Sequence, residues 1–573
     1  MSSSTNFNFD VDSEPYQPHL LNPISPIFKY LYQLTHTRHS KHQPPEMVYS
    51  FALPTTSHLA FQSHLSSPTH PALPQSASTA RHALRLALKK HKRLSPAQQP
   101  AHLQLILAAL NEYIPYLFAL SRGLSSTPAP TTAEDIDILL RTELEVEWRA
   151  TLSSSSSLSR LRRGEVGRGR SSRVRGQGLD FEIAFVLTTL GYVLAGLGRA
   201  RYLQTLYANK TPTPEQKTAA VQAATKYLLQ ASSVHSFLAS SASFSGLAAA
   251  PAPATRKSIS TSTSPPPVPD SPPNAIPDLD PATQSALATL SLAEATLLAV
   301  LKDDAYLSAC IQARNRLDTE WMVKPPDIPK VRALLFARLC VRAAEYAEQA
   351  VASAGAVGAG KGDEGVDEEL LSYMRSLARV SRARACRFFG VDAEMAGKTG
   401  EGIAWLRAAR GVLGFRGELG GDEGVENVGG KGKGKIGGGF SRLKREWSER
   451  REERKIEREA AGSGRVEGEA ELDWGDDAGR EEEGRVLDML EAKWVKMNDT
   501  INTQLIPSSA SYAANLPSGR DIHSTPAPYS PPQLDADHLV RLRAPPDSSD
   551  SLDVIDSSDE EVDEPAPSRG AYY

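Results

Sequence analysis

Apolar residues recur at spacings of three and four along most of this chain of 573 residues. Residues 76–122 show the pattern clearly, through Leu84, Leu88, Leu103, Leu107, Leu110, Ile114 and Leu117. Such spacing places side chains on one face of an α-helix, and that face must be buried against another element. Because very few segments alternate with a period of two, we predict a mostly α protein in which helices pack on helices.

The same pattern predicts helices in most other parts of the chain, with a short extended segment at 47–54. Further helices are predicted over 132–152, 179–208, 214–239, 284–301, 328–354, 367–389, 391–413, 441–461 and 485–505. No fixed repeat period is visible in the sequence. We therefore predict an elongated, solenoid-like helical domain with a small β element near its start.

Stretches rich in Gly, Pro, Ser or charge separate the helical blocks and predict flexible chain. The predicted helical domain spans 47–507 and carries low-complexity insertions at 153–178, 249–283, 355–366 and 416–483. Residues 1–46 and 508–573 are predicted to be a disordered extension and a disordered acidic tail. The hydrophobic fraction of 40% is low for a compact chain, and we attribute this to the insertions and tails.

Charge and cysteine content exclude several classes of protein. The net charge of −4 is too balanced for a chain that binds nucleic acid along its whole length. Three cysteines are too few for a disulfide framework, which favours a reducing compartment. The longest apolar run, 183–197, is shorter than a membrane span and predicts a buried core helix. With no signal-peptide pattern at the start, we expect a soluble intracellular protein.

No motif in the sequence predicts an enzyme, a cofactor site or a metal site. Residues 355–361 and 429–435 have the spacing of a phosphate-binding loop, but neither follows a predicted strand nor has a hydroxyl after its lysine. We interpret both as linkers. Histidines at 36, 39 and 42 are interpreted as part of a polar tail. The three cysteines, Cys310, Cys340 and Cys386, lie on helical blocks and are expected to be buried.

Two charged segments leave alternatives open. Seven arginines between Arg160 and Arg175 lie in a Ser/Gly stretch, which is either a solvated loop or a surface for anionic lipid or RNA. No aromatic residues accompany them, which argues against base stacking. Near the end, an apolar patch followed by acids and serines at 552–561 resembles short motifs that add as a strand to a partner's sheet.

Several segments, in order, resemble the BRO domain of the Alix/Bro family. They are Phe51–Pro54, Leu144–Leu152, Phe181–Leu187, Ala223–Ser232, Leu292–Ala295, Lys330–Leu339, Ala344–Tyr346, Gly397–Leu406, Asn498–Ile501 and Pro507. At one position the family's Phe-Asn pair is replaced by Thr188 and Thr189. The chain most resembles the fungal members that regulate the response to ambient pH, which lack a long coiled-coil domain.

The resemblance implies a docking surface for the C-terminal amphipathic helix of an ESCRT-III filament subunit of the Snf type. On this chain that surface maps to Ala299, Lys302, Leu335 and Leu339. Leu335 and Leu339 are one helical turn apart and are expected to form an exposed pair that receives leucines. Lys302 is expected to meet an acidic residue of the partner. Where relatives carry an aromatic ring, this chain has Ala299.

The resemblance also implies a role. The protein is expected to be a non-enzymatic adaptor in fungal alkaline-pH signalling, acting with other components of that pathway in the proteolytic activation of a PacC-type transcription factor. It is expected to be cytoplasmic, to associate peripherally with plasma-membrane cortical sites or endosomes, and not to bind nucleic acid. Two alternatives remain: a helical trafficking adaptor without ESCRT-III binding, and a binder of membranes or RNA through the Arg-rich loop.

Overall fold

The computed structural model describes residues 49–95, 98–125, 136–153, 173–206, 212–248, 276–312, 332–357, 365–415 and 478–543. Helices dominate these residues, with two small sheets. The elements in chain order are β1 (Thr55–Thr56), β2 (Leu65–Ser66), α1 (Leu73–Arg93), α2 (Gln99–Ser125), β3 (Leu139–Leu140), β4 (Glu145–Arg149), β5 (Arg173–Gln177), α3 (Leu179–Leu206), α4 (Pro214–Ser240), α5 (Pro281–Leu301), α6 (Ala305–Gln312), α7 (Ala333–Ala356), α8 (Glu368–Met395), α9 (Thr399–Leu413), α10 (Arg480–Met497), α11 (Ser509–Ala514) and α12 (Ala536–Leu542).

The chain divides into two compact units, where the sequence pattern predicts one domain. The larger unit comprises Met1–Leu53, Ala150–Ser172 and Leu187–Tyr529. The smaller unit comprises Pro54–Arg149, Arg173–Val186 and Ser530–Tyr573. Helix α3 therefore contributes its first residues to the smaller unit and the remainder to the larger one.

In the larger unit, successive helices pack on one another in chain order. Helix α4 packs on α5, α5 on α7, α7 on α8, and α8 on α9. Buried ion pairs join segments that are distant in sequence: Arg387 binds both Asp304 and Glu483, and Arg199 binds Glu294 at 2.8 Å. Because an unpaired buried charge is costly, these pairs restrict how the helices can pack.

In the smaller unit, helices α1 and α2 form an antiparallel hairpin beside the sheets. Strands β1, β4 and β5 form one antiparallel sheet, and β2 pairs with β3 in a second. The carboxylate of Glu182, at the start of α3, is fully buried and accepts hydrogen bonds from Arg81, Tyr113 and Trp148. Through these hydrogen bonds, one buried acid joins α1, α2 and strand β4.

The prediction of a mostly α fold with a small β element near its start is confirmed. The predicted helix over 132–152 is wrong for 136–152, which contains β3 and β4. Every second residue there is buried, at Leu144, Val146, Trp148, Ala150 and Leu152. This is the period of a strand, which buries alternate side chains. Residues 173–177, predicted as part of an insertion, form the partner strand β5.

The prediction of a disordered tail from 508 is wrong for 508–543. These residues include α11 and α12, and between them an extended segment that belongs to the larger unit and packs on its helix α7. The end of the predicted insertion at 416–483 is also displaced, because α10 begins at Arg480. The predicted disorder of 1–46 and 544–573, and the predicted helix over 441–461, lie outside the described residues.

Three helices are long and apolar enough to cross a membrane by length and composition alone: Gln99–Ser125, Leu179–Tyr202 and Pro281–Leu301. The most apolar stretch of Leu179–Tyr202 is 94% buried inside the protein. Its apolar surface is therefore used for packing, which confirms the prediction of a buried core helix around 183–197.

Candidate partner-binding groove

Ala299, Lys302, Leu335 and Leu339, which the sequence resemblance assigns to one surface, line a single groove in the larger unit. The groove has a volume of about 770 Å³. Its walls come from α4, the end of α5, the start of α7 and the segment Ile522–Ala527. We call it the α4–α7 groove.

Local sequence fixes the helices that form the groove. Helix α4 begins with a capping box, in which Thr213 accepts from the backbone N–H of Gln216 and the Gln216 side chain accepts from that of Thr213. Helix α5 begins at Pro281, where the carboxylate of Asp280 accepts from the N–H of Ala282. The three helices pack as α4 on α5 and α5 on α7, so the groove lies over a continuous helical layer.

The apolar floor of the groove differs from the expected exposed leucine pair. Leu335 is half-buried, but Leu339 is only 1% exposed, so the prediction is wrong for Leu339. Phe336, which also lines the groove, is buried too. Leu335 is therefore the side chain of the pair that a partner can reach, and Leu339 supports it from beneath.

Charge in the groove is predominantly positive. Of the described residues that line it, Lys226, Lys302 and Arg332 are cations, and Asp303 is the single acid. Asp303 lies 2.8 Å from a guanidinium nitrogen of Arg332 and 3.9 Å from Nζ of Lys302. One carboxylate shared by two cations leaves a net positive charge for a partner carrying acidic residues.

An extended segment after α11 crosses the helices that form the groove. We call residues 516–529 the strap. The strap binds α7 through backbone groups, since the N–H of Arg520 donates to the carbonyl of Arg338. His523 donates through Nε2 to the carbonyl of Ala295 on α5, and Ser233 of α4 donates to the carbonyl of Ala527. The strap thereby spans all three helices, and its Ile522 is 45% exposed at the groove.

Two residues of the strap explain why it lies so close to α7. A Cβ atom added to Gly519 would lie 2.6 Å from Cα of Arg342, so only glycine fits. Asp521 accepts from Nε of Arg342 and from the hydroxyl of Tyr346, each at 2.7 Å. These two hydrogen bonds lower the pKa of Asp521 below its usual range, which keeps the carboxylate ionised.

Sequence reasoning missed the strap and the lining residues of α4. The sequence of the strap has no apolar periodicity from which its position could be predicted. Backbone hydrogen bonds and single side chains hold it in place. Its sequence offers one signal, a glycine followed closely by an acid at Gly519 and Asp521, and this combination is common in loops. The α4 residues were predicted as helix, but the pattern does not reveal which neighbour they face.

Of the remaining candidates, the structure describes the cysteines, Gly355, Arg173 and Arg175, and none of these lines the groove. The three cysteines are buried, which confirms that prediction, and burial raises the pKa of each thiol to about 12. Gly355 lies inside helix α7, so no strand precedes that glycine-rich stretch. Residues 429–435, the histidines near residue 40 and the motif at 552–561 lie outside the described residues. Of the Arg cluster, Arg173 and Arg175 are described and lie on β5.

The fold is that of a mostly helical protein with a groove formed by three of its helices and the strap. The sequence is 55% identical over 509 residues to the pH-response regulator protein palC of Emericella nidulans. The aligned residues cover 87% of this chain and 92% of palC. The chain therefore belongs to the palC family of pH-response regulators. No family model matches the chain.

Solved structures similar to the chain include two BRO domains. The ALIX BRO1 domain in complex with CHMP4C is 14% identical, with a TM-score of 0.44, and covers 84% of this chain and 96% of that one. A Bro1 domain whose structure was described as the basis for endosomal targeting is also 14% identical, with a TM-score of 0.38. It covers 82% of this chain and 93% of that one.

Proposed function

We propose that this protein is a non-enzymatic adaptor of fungal alkaline-pH signalling that binds the C-terminal helix of an ESCRT-III subunit in the α4–α7 groove. By doing so it promotes the proteolytic activation of a PacC-type transcription factor. The adaptor acts at plasma-membrane cortical sites or endosomes, to which it is recruited peripherally. The four residues that the Alix/Bro resemblance assigns to this partner are Ala299, Lys302, Leu335 and Leu339.

The observation that carries the proposal is that these four residues, from two helices and the turn after one of them, line one groove. The groove combines an apolar floor with cations at its rim. An amphipathic helix presents the complementary pattern, with leucines at i and i+4 and acids on the flanking face. The small side chain of Ala299 leaves room in the floor, and Ile522 of the strap supplies apolar surface at the same groove.

A binding measurement with matched variants tests the groove. We expect Leu335→Asp to weaken binding of a fluorescent Snf-type tail helix to the full chain at least tenfold, because a carboxylate then faces the helix leucines. Leu334→Asp is the control, since Leu334 precedes it on α7, is 48% exposed and does not line the groove. Leu339→Asp is unsuitable, because a charge at that buried position is expected to unfold the chain.

The contribution of positive charge to helix binding in the groove is tested separately. We expect Lys302→Glu to weaken binding severalfold and to make it less sensitive to salt, because a cation of the rim becomes an acid. Lys398→Glu, on an exposed lysine far along the chain, is the control. If Leu335→Asp and Lys302→Glu both bind like the unaltered chain, with circular dichroism showing intact helices, the ESCRT-III assignment is wrong.

The signalling role is tested in the fungus at alkaline pH. A strain carrying Leu335→Asp is expected to lose proteolytic processing of the PacC-type factor, and a strain carrying Leu334→Asp is expected to keep it. If processing survives in the Leu335→Asp strain although helix binding is lost in vitro, the protein is a pH-signalling adaptor that works without ESCRT-III binding at this groove.

A further inference from the structure

The smaller unit carries a second charged surface, apart from the groove, on the flank of α1 beside its buried stripe. Arg85, Lys89, Lys92 and Arg93 fall within about 100° of the helix circumference, at 100° per residue. Their neighbours are Arg149 and Arg173 at one end of the β4–β5 pair, since the charge of Arg173 acts on Lys89 and the charges of both act on Lys92. Arg149 and Arg173 lie directly opposite each other across the sheet. We call these six residues the basic face.

The basic face is crowded with like charges. Partial burial, with the positive charges of Arg85, Arg173 and Arg93, lowers the pKa of Lys89. Partial burial, with the charges of Arg149 and Arg173, lowers that of Lys92. Arg149 and Arg173 are like charges directly opposite each other on neighbouring strands, an arrangement that disfavours a sheet, and Glu147 offsets the charge of Arg173.

Within the described part of the chain, few acids pair with the cations of this surface. Among the described residues, Arg173 is the member of the basic face with an ion pair, to Glu147 at 2.7 Å. Nε of Arg85 and Nε of Arg149 are buried and have no hydrogen-bond partner within the described part of the chain. A cluster of cations that repel one another and have few acids beside them is complementary to a surface rich in anionic oxygens.

A leucine distinguishes between anionic partners. Leu86 is 52% exposed on the same side of α1 as Lys89, Lys90 and Arg93. An apolar side chain among cations on one helix face is the pattern of helices that lie in the headgroup region of a bilayer. Recognition of single-stranded nucleic acid instead uses aromatic rings for stacking, and the basic face has none.

We propose that the basic face binds the surface of a bilayer containing anionic lipids, with the headgroup phosphates and carboxylates meeting the cations and Leu86 entering the interface. This names the surface for the peripheral recruitment proposed above. It does not involve the groove, so its test is independent of ESCRT-III binding.

Vesicle co-sedimentation of the full chain tests the proposal. Vesicles of phosphatidylcholine with 30% phosphatidylserine are expected to bind the protein, and pure phosphatidylcholine vesicles are not. We expect Arg85→Gln with Lys89→Gln and Lys92→Gln to lower partitioning by roughly 100-fold, at about fivefold for each of the three cations near an anionic membrane. Raising the salt from 50 to 300 mM is expected to weaken binding of the unaltered chain.

A matched control removes the same number of charges elsewhere. Arg375→Gln, Lys398→Gln and Arg407→Gln alter three partly exposed cations of the larger unit. This variant is expected to bind vesicles like the unaltered chain. Leu86→Gln, which changes no charge, is expected to lower partitioning severalfold.

Three outcomes would overturn the proposal. The first is equal loss in the two triple variants, which would show a net-charge effect. The second is unchanged binding in the basic-face variant while circular dichroism shows it folded. The third is binding of a 20-nucleotide RNA that the basic-face variant loses, without binding of the anionic vesicles, which would assign the face to nucleic acid. Tail-helix binding measured on the same variants separates each result from a failure of the groove assignment.

Discussion

The inner side of helix α1, which is its buried stripe with Arg81 at the edge, and its outer side, which is the flank directly beside that stripe, treat positive charge in opposite ways. On the inner side, Arg81 is 1% exposed, and its guanidinium donates to Glu182, Thr56 and the carbonyl of Ser57. On the outer side, Arg85, Lys89 and Lys92 lie near other cations. Both arrangements occur within three turns of one helix.

This difference indicates which charges stabilise the folded protein. A buried cation must be matched, because an unpaired charge in the interior costs several kcal/mol. A half-exposed cation is hydrated and can be left unmatched at small cost. We therefore expect the inner charge to be required for folding and the outer cluster to contribute little to stability.

The largest expected effect comes from breaking the inner pair. Glu182→Ala leaves the guanidinium of Arg81 buried without its acid and removes the acceptor of Tyr113 and Trp148. We expect the free energy of unfolding to fall by about 3–5 kcal/mol, measured by urea denaturation. Glu145→Ala is the control, because Glu145 is 62% exposed and is expected to change stability by about 0.5 kcal/mol or less. Equal losses in both variants would contradict the comparison.

His91 sharpens the comparison, since it lies on the inner side of α1 without an acid. Burial, with a smaller effect from the charge of His102, lowers the pKa of His91 to about 4. The unfolded chain therefore binds a proton between about pH 6.5 and 4 that the folded chain does not, and stability falls as the pH decreases through that window. We expect His91 to account for roughly 2–3 kcal/mol of this fall.

Urea denaturation from pH 7 to 4 on the unaltered chain and on His91→Gln measures that contribution. The difference in unfolding free energy between the two proteins is expected to shrink or change sign as the pH falls. Other buried histidines, such as His235, are present in both proteins and cancel in the difference. A difference that stays constant over the whole range would contradict the lowered pKa.

The smallest expected effect comes from the outer side. Lys89→Gln with Lys92→Gln removes mutual repulsion, so we expect the unfolding free energy to stay within about 0.5 kcal/mol or to rise slightly. Any gain in unfolding free energy is expected to appear at 20 mM salt and to disappear at 300 mM salt, because salt screens exposed charges. A loss of more than about 1 kcal/mol would show that these lysines serve the fold after all.

Much of the helical fold could be predicted from the sequence, because long amphipathic blocks have only one way to bury their apolar stripe. The helices over 179–206 and 214–240 agree with their predicted bounds within two residues. Strand β4 was missed because Ile136, Leu139, Leu140 and Leu144 also satisfy a helical spacing. The alternation from Leu144 to Leu152 was the better signal.

The candidate groove was predictable only in part. A resemblance selected its residues on α5 and α7, and the structure gathers those residues into one groove. The resemblance could not show that Leu339 is buried, because a periodic pattern does not tell which side of a helix faces solvent. It also could not place the strap, whose position depends on contacts with α7 some 180 residues earlier in the chain.

The strap decides where fragments of this protein should end. The sequence pattern alone suggests a boundary at residue 507, but a fragment cut there would lose Ile522 and His523 from the groove and leave Arg342 without Asp521. Affinities measured on such a fragment would describe a different, wider surface. A fragment that ends after Leu542, the last residue of α12, keeps the groove as the full chain builds it.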